Sequence, residues 1–168
     1  AKHELGIFGN IDRLAVLITI MIQAFRMAAE PFFFNQSKEE NAPRTYARIM
    51  KFFVIACCFM FLLISLYIDV FAWFFEAINK PAWTEGLTIV PLLALGNIFL
   101  GVYYNLSIWY KLTNKNMMGA MITIAGAIIT IVLNILLIPK WHYLGAAVAT
   151  FCCYLFMMIV SYWLGQKH

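Results

Sequence analysis

Residues 117–138 and 144–164 carry no charged side chain, runs of 22 and 21 residues separated by only five. An α-helix rises about 1.5 Å per residue, so about 20 apolar residues cross a hydrocarbon core about 30 Å thick. Two such runs back to back are more apolar surface than a soluble fold of this length can cover. Composition agrees: of 168 residues, 64% are hydrophobic and 12% charged, whereas soluble domains are closer to half apolar and a quarter charged. The chain reads as an integral membrane protein and not as a disordered segment, a disulfide scaffold or a nucleic-acid binder. Its formal charge of +4 bears on membrane orientation.

Five segments reach spanning length: 14–34, 49–71 (extending as far as 75), 87–110, 117–138 and 144–164. The expected fold is all-α, a polytopic membrane bundle of about five transmembrane helices. Polar or helix-breaking stretches join them, at Asn35–Pro43, Asn79–Pro81, Lys111–Asn116 and Pro139–His142. Links this short make consecutive helices antiparallel neighbours. Lys38, Arg44, Arg48, Lys51, Lys111, Lys115 and Lys167 fall on one side, against Lys2, Arg13, Lys80 and Lys140 on the other. Cytoplasmic loops collect Lys and Arg, so the first residues are expected outside and the last inside. Trp73, Trp83, Trp109, Trp141 and Trp163 lie near the expected span ends, as an interfacial aromatic belt requires. No short apolar run with a small-residue cleavage site follows Ala1, so no signal peptide is expected. The ends, at Ala1 and just past an apolar segment at Gln166–His168, suggest an excerpt of a longer polytopic protein.

Candidate functional residues are the polar ones inside spans. Thr19, Gln23, Arg26 and Glu30 are spaced 4, 3 and 4 apart. At about 100° per residue the eleven steps close to within about 20°, so all four share a face. Arg26 and Glu30 stand one turn apart, within ion-pair reach. A charge at bilayer depth costs about 3 kcal/mol on insertion scales, which turns this face toward a bundle interior or a wet cavity. Two readings follow: an Arg–Glu clamp between helices, or a site for a substrate phosphate or a coupled proton. Gly119, Thr123, Gly126, Thr130 and Asn134 form an uncharged stripe suited to close packing, with Asn134 seeking a polar partner. Asn97, Gly101 and Asn105 form another, and Pro91 invites a kink in the same segment. Asp69 reads as an interfacial carboxylate.

The adjacent pairs Cys57-Cys58 and Cys152-Cys153 have poor disulfide geometry and no metal-ligand spacing, so they read as small buried hydrophobes. His3, His142 and His168 lie in loops or at ends. No Ser/His/Asp set, paired carboxylate, phosphate-binding glycine loop or metal cluster is present in the sequence pattern, so neither an enzyme nor a bound cofactor is expected.

Asn134-Ile135-Leu136-Leu137-Ile138-Pro139, followed after five residues by Gly145-Ala146-Ala147-Val148-Ala149-Thr150, resembles the helix–loop–helix signature of polysaccharide and lipid-linked oligosaccharide flippases. These belong to the multidrug/oligosaccharidyl-lipid/polysaccharide exporter superfamily. The strings Leu5–Asn10, Phe25–Phe34 and Gly101–Lys111 are similar to its Bacteroidetes-type branch. The resemblance implies a two-lobed exporter fold of about 12–14 helices working by alternating access, of which this chain would form part of the C-terminal lobe. It implies an undecaprenyl-pyrophosphate-linked oligosaccharide as substrate, the bacterial inner membrane as location, and membrane lipid and the remainder of the transporter as partners. The cavity residues it suggests are Arg26, Glu30, Gln23, Asn97, Asn105 and Asn134. A cation-coupled multidrug-type exporter and a non-transporting membrane scaffold are the alternatives.

Overall fold

The computed structural model describes the backbone of residues 2–36, 39, 41–70, 73, 87 and 89–166. Side chains are described from Thr19 onward within those residues, Tyr143 excepted. The Asn79–Pro81 link, Trp83, His168, Lys38, Lys80, Lys167 and the side chains of His3, Lys2 and Arg13 lie outside the described part. Among the described residues five helices follow one another: α1 (Lys2–Gln36), α2 (Ala42–Leu66), α3 (Val90–Leu112), α4 (Asn116–His142) and α5 (Leu144–Gln166). Among the described residues there is no strand.

Four of them, α2 to α5, are long and apolar enough to cross a membrane. The fold is an all-α polytopic bundle, and the chain is a multi-pass membrane protein. The fifth expected span, 14–34, lies within α1, which runs on through Pro31.

The helix ends follow local chemistry. Pro43 and Pro91 occupy the first turns of α2 and α3, where the missing N–H costs nothing because those donors have no helical partner. Pro91 therefore starts α3 and does not kink it. Helix α2 begins seven residues before the expected position 49, because Arg44, Ala47 and Arg48 are good helix formers although they add nothing to an apolar span. It closes at Leu66, with Tyr67 N–H donating to the Leu63 carbonyl. At the far end of α3, Asn114 takes the left-handed conformation at φ 57°. Lys115 N–H then donates to the Tyr110 carbonyl at 2.8 Å and Asn114 N–H to Lys111 at 3.4 Å. This is a Schellman closure with Asn in the place usually taken by Gly.

Of Pro139–His142, expected as a link, residues 139–141 are helical and only the last breaks the helix. The reversal between α4 and α5 is concentrated at His142, at φ 49° and ψ −125°.

Contacts give the directions. Ile22 meets Gly101 and Arg26 meets Tyr104, so α1 and α3 run parallel. Phe25 against Phe53 and Phe33 against Tyr46 make α1 and α2 antiparallel. Gly126 against Met157 with Leu137 against Gly145 make α4 antiparallel to α5, and Tyr103 against Thr123 with Tyr110 against Gly119 make it antiparallel to α3. Helix α3 is the central mast: Leu93, Ala94, Ile98, Tyr103, Ile108 and Tyr110 are all buried on it.

With lipid as solvent, helices gain little by hiding apolar side chains from each other and associate through close packing. A Cβ at position 101 would stand 2.9 Å from both Ile22 Cδ1 and Phe53 Cζ, so Gly101 is where α1, α2 and α3 cross. At Gly126 a Cβ would meet Met157 Sδ at 2.9 Å, and the Gly126 carbonyl accepts from Cys153 Sγ at 3.3 Å. The outward faces stay apolar: Phe52, Ile55, Phe59 and Leu62 on α2 and Ile124, Ile128, Ile131 and Ile135 on α4 are exposed. Cys57 and Cys153 are buried, but Cys58 is exposed on such a face and Cys152 half-buried, so the paired cysteines are not uniformly core residues.

Candidate functional site

Among the described side chains of α1, the two charged ones stand toward its C-terminal end. Arg26 and Glu30, one turn apart, approach to 3.9 Å between Nε and Oε2. The other carboxylate oxygen, Glu30 Oε1, accepts from Lys111 Nζ in the last turn of α3. The Arg26 guanidinium lies over the Tyr104 ring, 4.8 Å from its centroid. That stacking suits a flat, weakly hydrated cation. The charged groups are not sealed in: Arg26, Lys111 and Glu30 keep 44%, 38% and 30% of their side-chain surface exposed. Such exposure limits the ion pairs to a modest contribution.

These groups edge a cleft of about 280 Å³ lined by Arg26, Tyr103, Tyr104, Ser107, Lys111, Thr123 and Met157. Its hydroxyls are ordered. Ser107 Oγ donates to the Tyr104 carbonyl at 2.7 Å and Thr123 Oγ1 to the Gly119 carbonyl at 2.9 Å. Tyr103 Oη, 3.1 Å from Thr123 Oγ1, bridges α3 to α4. Two cations against one carboxylate leave the cleft an excess of one positive charge. What it can do chemically is bind an anion beside hydroxyl-bearing groups. Among the described residues no set of three His, Cys, Asp or Glu side chains could hold a metal ion.

The six residues expected from sequence part company. Arg26 and Glu30 come together at the cleft. Gln23 is exposed on α1 and does not line it. Asn97 is half-buried on α3, two turns before Tyr104. Asn105 turns the other way: its Nδ2 donates to the Gly101 carbonyl at 3.2 Å, and it lines an apolar groove of about 260 Å³ with Phe33, Tyr46, Met50 and Trp109. At about 100° per residue Asn97, seven residues before Tyr104, shares its direction to within about 20° but stands two turns further along the helix, whereas Asn105, one residue on, is turned about 100° away. Asn134 sits away from the cleft on α4, its buried Oδ1 without a hydrogen-bond partner among the described residues. Of the uncharged α4 stripe, Thr123 reaches the cleft, while Gly126 packs on α5 and Thr130 Oγ1 bonds back to the Gly126 carbonyl at 2.9 Å.

Sequence reasoning missed Tyr103, Tyr104 and Ser107 of the lining and, among the charged groups, Lys111, which by count is a loop cation. The available signal was its place seven residues after Tyr104, on the same helical face, with a stem long enough to reach along the helix. Comparison with protein-family models, with curated proteins and with solved structures finds no match to this chain.

Proposed function

We propose that this chain belongs to a transporter that flips a lipid-linked oligosaccharide for polysaccharide or lipopolysaccharide biosynthesis, working by alternating access in the bacterial inner membrane. The observation that carries the reading is the cleft: two cations, four hydroxyl-bearing side chains and two aromatic rings inside an otherwise apolar bundle. An isolated charge in such a bundle is costly and is retained where it meets a ligand or a wet pathway. Arginine and lysine suit phosphate oxygens, the first through a planar fork and the second as a point charge. Hydroxyls and ring faces alongside suit a sugar.

The substrate's polyprenyl tail would stay in the bilayer against the exposed faces of α2 and α4 while the pyrophosphate head enters the cleft. The resemblance of the Asn134–Pro139 and Gly145–Thr150 strings to flippase signatures supports the same reading, with this chain in the C-terminal lobe and the remainder of the transporter completing the cavity. The role is translocation, so no catalytic residue is assigned. A cation-coupled drug exporter is less well served, because the carboxylate of Glu30 is already engaged by Arg26 and Lys111.

Flipping of a lipid-pyrophosphate oligosaccharide by the full-length protein in proteoliposomes tests this. Arg26→Ala and Lys111→Ala should each lower the rate at least about tenfold, as expected for loss of a charge-assisted contact, while Asn105→Ala should leave it near wild type. Unchanged flipping by correctly inserted Arg26 and Lys111 variants would leave the scaffold role instead.

A further inference from the structure

Glu30 does not line the cleft, yet it touches both of the cations that do. Its oxygens are divided between two helices: Oε2 faces Arg26 on α1 and Oε1 accepts a hydrogen bond from Lys111 Nζ on α3. The cations differ in freedom. Arg26 is held a second time, over the Tyr104 ring. Lys111 has a flexible stem and lines the cleft from the last turn of its helix. The Glu30–Lys111 pair is also an ionic tie between the parallel helices α1 and α3 at this end of the bundle.

We infer that Glu30 is a resident counter-ion which the anionic head group displaces from Lys111, exchanging a tie between helices for a tie to substrate. The inference rests on the reading of the cleft as a head-group site and adds how that site is kept when empty. The stronger charge of the head group favours such an exchange. A diphosphate diester carries a negative charge on each phosphate, whereas the empty cleft offers one net positive charge. The exchange leaves that net charge unchanged and gives the head group direct contact with Lys111, whose ammonium Glu30 otherwise engages. Arg26, fixed by its ring, remains paired to Glu30 at one edge and open to the ligand at the other. Loading would thereby loosen α3 from α1 where the two helices flank the cleft.

Titration calorimetry of the purified full-length transporter with inorganic pyrophosphate tests the exchange. Glu30→Gln removes the competitor and should tighten binding about fivefold, the scale of a partly exposed ion pair. Glu30→Asp draws the carboxylate back by one methylene and should tighten it to a smaller degree, which keeps the test decisive if Glu30→Gln fails to fold. Unchanged or weaker binding in the folded Glu30 variants, with Arg26→Ala still weakening it, would overturn the exchange alone. Binding indifferent to Arg26→Ala would overturn the head-group reading beneath it.

Discussion

Two residue contacts carry most of what is specific here, and they differ in kind. Arg26 on the Tyr104 ring is an exposed, polarisable contact whose value lies in aiming a guanidinium at the cleft. The pair Tyr110 and Ser161 is structural: Oη and Oγ meet at 2.7 Å with both residues almost fully buried, joining α3 to α5. A buried hydroxyl that loses its partner pays desolvation without return. Tyr110→Phe should therefore destabilise the protein by about 1–2 kcal/mol, measured by thermal unfolding in lipid-like detergent. The double variant with Ser161→Ala should recover part of that loss, because neither hydroxyl is then left alone. An additive double variant would mean that the two groups do not depend on each other.

At the level of elements, the long apolar runs made the helices legible, because a charge-free stretch of spanning length has few alternatives in a bilayer. Their ends were less so. The reversal between α4 and α5 occupies one residue, His142, in a left-handed conformation that a histidine does not announce. Pro139, read as a breaker, is carried inside the helix. The tightness of this reversal makes Gly145 sensitive: a Cβ there would stand 2.6 Å from the Leu137 carbonyl oxygen, a backbone atom that cannot rotate away. At Gly119 the nearest atom would be Tyr110 Cδ2 at 3.4 Å. Gly145→Ala should cost about 1–3 kcal/mol, on the scale of overpacking, and Gly119→Ala a few tenths by the same unfolding measurement. Equal losses would contradict the hairpin geometry. The site was half legible for a related reason. Arg26 and Glu30 share a helix, so spacing found them, whereas Lys111 joins them through a parallel docking of α1 and α3 that no local pattern encodes.

For the molecule as a whole, the antiparallel order places Arg44, Arg48, Lys51, Lys111 and Lys115 at one end of the bundle and Lys140 at the other. We take the basic end as cytoplasmic. In a cysteine-free background Asn114→Cys should react with an impermeant thiol reagent only after the membrane is opened, and Lys140→Cys in intact spheroplasts; the reverse pattern would invert the orientation. On the proposed reading, the cleft at this basic end would receive a lipid-linked sugar from the adjoining leaflet. The most direct measurement is photocross-linking of a polyprenyl-diphosphate probe, reactive beside its phosphates, to the full-length protein in membranes. The account predicts labelling within residues 103–111 and at Thr123, lost in Arg26→Ala and Lys111→Ala. Labelling spread along the lipid-facing sides of α2 and α4, indifferent to both substitutions, would contradict it.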